Sequence, residues 1–104
     1  MSSIREKYPD RVPVIIEQGH GWEHAPLDKH KYLVPNDVTV YHLQHILRKR
    51  MHISDREAIF LFNGPKLVRS DHMIISLYET HRDKDGFLYL SYSQEQVFGF
   101  PRDR

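Results

Sequence analysis

Lys31-Tyr32-Leu33-Val34-Pro35, and soon after it Thr39-Val40-Tyr41-His42-Leu43-Gln44-His45-Ile46-Leu47-Arg48-Lys49-Arg50-Met51, set a short β-rich run against an amphipathic helix. Pro35 stops the first. Thr39 is a good N-cap for the second, because its hydroxyl can accept one of the unpaired amides of the first turn. Val40, Leu43, Ile46, Leu47 and Met51 recur at helical spacing. Arg48, Lys49 and Arg50 fall in the last turn, where positive charge complements the helix dipole.

Upstream, Val12 to Glu17 is a β-rich run, and Pro13, which lacks an N–H, suits the start or edge of a strand. Residues 4–8 suggest a short helical turn before Pro9. Residues 19–26 read as a loop around Trp22, which either offers an exposed contact or folds back on the sheet. Downstream, Ala58 to Phe62 is a third strand closed by Asn63-Gly64-Pro65. Asp71 can cap a second helix with Ile74, Leu77 and Tyr78 on its apolar side. Asp83-Lys84-Asp85-Gly86 signals a turn, and Phe87 to Tyr92 is a last strand. Strand, strand, helix, strand, helix, strand implies α+β with helices on one face of a mixed sheet. A β-grasp with four strands fits this order. Residues 1–93 read as one domain and 94–104 as a flexible tail.

The chain has 104 residues, 15 Lys+Arg, 14 Asp+Glu and a formal charge of +1. That balance argues against a general nucleic-acid binder. The absence of cysteine excludes disulfides, thiolate metal sites and a cysteine nucleophile. No run is long enough to span a membrane as a helix, and the first residues lack an apolar signal core. The expectation is a soluble intracellular monomer.

Eight histidines invite a metal reading. His42 and His45 share a helix face, with His20, His24 and His30 available from the preceding segment. The spacings match no established zinc signature, so no metal or other cofactor is expected. No nucleophile sits in a sharp glycine turn, and no glycine loop resembles a phosphate cradle. No catalytic residue is assigned, and an enzyme is not expected.

Lys31 to Pro35 carries more. As an edge strand it could accept a peptide as an added strand. Leu33 would then serve one apolar pocket, and Tyr32 and Val34 another. Arg11, Lys29 and Lys31 would favour acidic residues beside the peptide's apolar anchors. The same run also fits an ordinary half-buried strand with solvated lysines.

The strings Lys7-Tyr8-Pro9-Asp10-Arg11-Val12-Pro13-Val14-Ile15, Leu27-Asp28-Lys29 and Lys31-Tyr32-Leu33-Val34-Pro35 resemble the autophagy modifier family that includes GABARAP and microtubule-associated protein light chain 3. So do Asp37-Val38-Thr39-Val40, Arg48-Lys49-Arg50, Phe87-Leu88-Tyr89 and Phe98-Gly99. The matches keep the family's order and span nearly the whole chain.

The resemblance implies a ubiquitin-like fold and a conjugation cycle. A cysteine protease cleaves after Gly99. Activating and conjugating enzymes carry the chain as a thioester, and Gly99 is joined to phosphatidylethanolamine on autophagosomal membranes. The implied localisation is cytoplasmic, and on that membrane once lipidated.

The resemblance also implies receptors bearing an aromatic-x-x-aliphatic motif. Pocket one would be lined by Ile4, Pro13, Ile15, Lys31, Leu33 and Phe87. Pocket two would be lined by Tyr32, Val34, Pro35, Val38, Leu43 and Ile46. Arg11, Lys29 and Arg50 form the basic flank, and Phe60 and Phe62 a face for the processing enzyme, or else plain core. Two departures stand out. The family's usual first N-terminal helix lacks a counterpart, and the loop at Gly19 to Pro26 differs. The alternative is an adaptor of the same fold that binds the same motif without being lipidated.

Overall fold

The computed structural model describes residues 7–19, 22, 27–54 and 56–94. Strand β1, Arg11–Gln18, is built on alternation: Val12, Val14 and Ile16 are each fully buried, while Arg11, Glu17 and Gln18 are exposed. Strand β2, Lys31–Pro35, alternates too, with Tyr32 and Val34 buried and Lys31, Leu33 and Pro35 exposed. Burying one side of each strand against a helix stabilises the pairing register, because a one-residue slip would turn the apolar set to water. The two strands pair antiparallel, Val14 opposite Tyr32 and Val12 opposite Val34.

Helix α1, Val40–Met51, begins where expected: Thr39 Oγ1 accepts the His42 amide at 3.2 Å. It buries Val40, Leu43 and Leu47. His52 closes it in a left-handed conformation at φ 57°, its amide reaching the Arg48 and Lys49 carbonyls. Strand β3, Phe60–Asn63, turns through Gly64 into strand β4, Lys66–Leu67; helix α2, Ile74–His81, and strand β5, Leu88–Ser93, complete the fold. The sheet order is β2-β1-β5-β3-β4, with β1 and β5 parallel and the remaining neighbours antiparallel.

The sheet therefore has five strands rather than four. The added strand has two residues, too few to show a period-two pattern in sequence. Among the described residues the first element is β1; the expected turn at residues 4–8 lies mostly outside them. Asp71 does not cap α2. The N-cap is Met73 without a side-chain bond, and Asp71 pairs with Arg69 at 2.8 Å. Backbone bonds from Val40 to His72 and from Ile74 to Val38, with the Thr39–Met73 bridge, tie that segment to the start of α1. Pro13 sits in a strand with neighbours on both sides, yet it breaks no rung, because pairing with β5 begins one residue later at Val14.

Trp22 folds back. It is 7% exposed and meets Tyr92 edge-on, ring centres 4.7 Å apart. The Tyr92 hydroxyl in turn accepts the Leu27 amide at 3.0 Å. Gly19 donates its amide to the Tyr92 carbonyl at 2.7 Å. A Cβ at residue 19 would stand 2.5 Å from that oxygen, so a side chain is excluded there.

Candidate functional site

Strand β2 is the outer strand of the sheet, and its hydrogen bonding decides what it can offer. The Ile16 amide bonds to the His30 carbonyl. In the antiparallel register the bonded pairs are thus Ile16–His30, Val14–Tyr32 and Val12–Val34, since bonded and non-bonded pairs alternate. The backbone groups of Lys31 and Leu33 consequently point to the open edge. An incoming strand would pair with those two residues.

Between β2 and α1 lies a groove of about 360 Å³ lined by Tyr32, Leu33, Val34, Pro35, Leu43 and Ile46, with Lys29, Lys49 and Arg50 at its rim. Five of the six residues expected in pocket two meet here. Val38 does not line the groove; it is half-buried and packs against the core. Lys49, which the sequence reading left as a dipole-complementing charge, is a rim residue.

Tyr32 carries the electrostatics of this groove. Lys29 Nζ lies 5.3 Å and Arg50 Cζ 5.9 Å from its ring centre, within cation–π range. Arg50 also pairs with Asp28 at 3.2 Å. The Tyr32 hydroxyl is buried without a hydrogen-bond partner among the described residues. Burial pushes its pKa above the usual phenol value, opposed by the neighbouring Arg50.

Pocket-one residues gather on the other face of the sheet. Pro13 stands opposite Leu33 and Ile15 opposite Lys31. Pro13 is buried, Ile15 and Phe87 are half-buried, and Leu33 is 37% exposed. Lys31 Nζ lies 5.3 Å from the Phe87 ring centre. Asp85 holds Phe87 in place by accepting its amide at 3.0 Å. Ile4 lies outside the described residues. Arg11, of the basic flank, is 4.0 Å from Asp10.

Phe62 is 1% exposed and cannot present itself to an enzyme in this fold; the core reading applies to it. Phe60 is half-buried and borders a second cavity beside Tyr41. Nothing in the helical pattern flagged that cavity, because Tyr41 and Gln44 lie off the apolar stripe of α1. Gly99 lies outside the described residues. No group of three or more metal-ligating side chains occurs among the described residues, and no described helix is long and apolar enough to cross a membrane.

A mixed sheet with a helix crossing between its two hairpins, open along β2, defines a ubiquitin-like fold. The family model described as autophagy protein Atg8, ubiquitin like, matches residues 1–99, and the chain belongs to that family. Autophagy-related protein 8e of Arabidopsis thaliana is 48% identical over 96 residues, covering 92% of this chain and 79% of that protein. Autophagy-related protein 8 of Mycosarcoma maydis is 46% identical, covering 92% and 81%. The crystal structure of Trypanosoma brucei ATG8 superposes with a TM-score of 0.83 at 37% identity, covering 93% of this chain and 84% of that one.

Proposed function

We propose that this chain is a conjugated modifier and adaptor that docks receptors along β2. The observation that carries the reading is the open Lys31–Leu33 edge flanked by an apolar set on each face of the sheet. A peptide of the form aromatic-x-x-aliphatic would add as a strand beside Lys31–Pro35. Its aromatic anchor would meet Pro13, Ile15, Leu33 and Phe87, and its aliphatic anchor the groove of Tyr32, Val34, Leu43 and Ile46. Burying two such anchors is worth several kcal/mol before the cost of ordering the peptide. Arg11, Lys29, Lys31 and Arg50 suit acidic residues beside the anchors, each rim pair being worth about 1 kcal/mol or less. The chain itself supplies no catalysis.

The family and the Phe98-Gly99 sequence support the rest. The domain comprises residues 1–93 and the tail 94–104. A cysteine protease removes Phe100 to Arg104; activating and conjugating enzymes then join the Gly99 carboxyl to phosphatidylethanolamine, moving a cytoplasmic protein to autophagosomal membranes. Glycine suits the step because the scissile carbonyl must enter an oxyanion hole in an extended, unobstructed segment.

Adding such a peptide to isotope-labelled protein should shift the amides of Lys31, Leu33, Ile46 and Phe87; no shift there would overturn the docking assignment. Mass spectrometry after exposure to the family's protease should show loss of the last five residues, abolished by Gly99→Ala. Lipidation of Gly99→Ala at the normal rate would leave the non-conjugated adaptor as the better description.

A further inference from the structure

Two cavities flank Tyr41 on the side of α1 away from β2. One, of about 320 Å³, is lined with Gln44, His45, Arg48 and Ile59; the other, of about 480 Å³, has Phe60, Leu67 and Val68 on one side and Arg69 to Asp71 at its polar rim. Tyr41 stands between them, 66% exposed, and Leu67 is 41% exposed. Gln44 Nε2 donates to the Ile59 carbonyl at 3.0 Å and fixes the seam between helix and sheet.

The chain leaves the sheet at the same seam. Ser93, the last residue of β5, pairs with Phe60, and Gln94 Nε2 donates to Glu57 Oε1 at 3.0 Å. Ten residues follow, Glu95 to Arg104, with Val97, Phe98 and Phe100 among them. Extended, ten residues reach about 33 Å, far more than is needed to lie across α1. In an extended segment residues two apart share a face, about 7 Å from each other. In an extended tail Phe98 and Phe100 would therefore fall on one side. Because the segment is tethered, its effective concentration at the groove is on the order of millimolar, so weak contacts suffice.

We propose that the chain's own uncut tail occupies this groove, with Phe98 and Phe100 seated on either side of Tyr41. The docking does not depend on the lipidation reading. Its consequence does: cleavage after Gly99 removes the Phe100 anchor, so the groove would be covered in the full-length chain and uncovered in the processed one. The groove then distinguishes the two forms for any later partner.

The test compares amide spectra of the chain 1–104 with the truncations 1–99 and 1–94 and with the full-length Phe98→Ser/Phe100→Ser variant, without enzyme or receptor peptide. Tyr41, Gln44, Ile59 and Phe60 should shift between 1–104 and 1–94. The 1–99 form should lie between them, and the double variant should overlay on 1–94. Shifts in 1–104 should be independent of protein concentration. Coincident spectra for 1–104 and 1–94 at these residues would overturn the proposal. Concentration-dependent shifts would overturn it too, by assigning the groove to a second copy. Because receptor binding at β2 enters neither measurement, failure here leaves the docking assignment untouched, and the reverse holds.

Discussion

Tyr32 and Val34 turn toward α1 and are 8% and 3% exposed, whereas Lys31, Leu33 and Pro35, alternating with them, stay open to solvent, Leu33 and Pro35 at the lip of the groove. The two flanks of β2 thus do different physical jobs. The inner flank is core first and groove floor second: Val34 and Leu43 belong to the same buried cluster that holds β1 to α1. The outer flank belongs to a sheet face where Pro13 is buried but Ile15, Leu33 and Phe87 are only partly covered. A substitution on the inner flank changes stability and binding together. One on the outer flank separates them, so the double variant Tyr32→Ala/Leu33→Ala would confuse the two.

The largest expected effect follows from the inner flank. Leu43 is fully buried and also lines the groove, so Leu43→Ala should cost about 2–5 kcal/mol of stability. Urea denaturation would check this; a loss under 1 kcal/mol would mean that the groove floor is not part of the core. On the outer flank, Leu33→Ala should leave the denaturation midpoint within about 0.5 kcal/mol of the parent, as exposed substitutions usually do. Calorimetry should show the motif peptide binding at least tenfold more weakly, a change of about 1.4 kcal/mol. A stability loss as large as that of Leu43→Ala would erase the contrast between the flanks.

The smallest effect sharpens the outer face further. Asp85 accepts the Tyr89 hydroxyl and the Phe87 amide, and these two bonds hold its pKa below the ordinary aspartate value. The ionised form is therefore favoured by folding. Its contribution is present above the unfolded pKa and is lost as pH falls through the lower folded pKa, on the acid side of the ordinary aspartate value. Asp85 is exposed and Tyr89 is 37% exposed, so the effect on stability is slight. Tyr89→Phe should raise the Asp85 titration midpoint toward the ordinary aspartate value in a carboxyl NMR titration. An unchanged midpoint would show that the hydroxyl does not anchor the turn that carries Phe87.

Local patterns were legible where one period dominated. Strand β2 has the bounds read from Pro35 and its alternation, and α1 starts at Thr39 because a hydroxyl cap and an apolar stripe agree. Strand β4 escaped because two residues carry no period. The α2 cap was misread because Asp71 has a nearer partner in Arg69, while the segment's backbone is held by the start of α1. Phe60 and Phe62 were read together, yet burial separates them. For the groove, alternation pointed to Tyr32 and Val34, while Pro35, Val38, Leu43 and Ile46 came from the family resemblance; Leu33 and Lys49 line it as well and Val38 does not, because rim and core differ by depth, which one-dimensional spacing does not encode.

Alternation along β1 and β2, the apolar stripe and cap of α1, and the glycine and proline stops are all contained in neighbours a few residues apart, so the chain's order alone determines them. Which strand lies at the open edge, how α1 meets β2 to form a groove, and where Trp22 rests depend on contacts between distant residues. Leu27 and Tyr92, 65 positions apart, are joined by one buried hydrogen bond. Such contacts arise only when the whole apolar surface is removed from water at once, and that cooperative burial is a property of the tertiary structure.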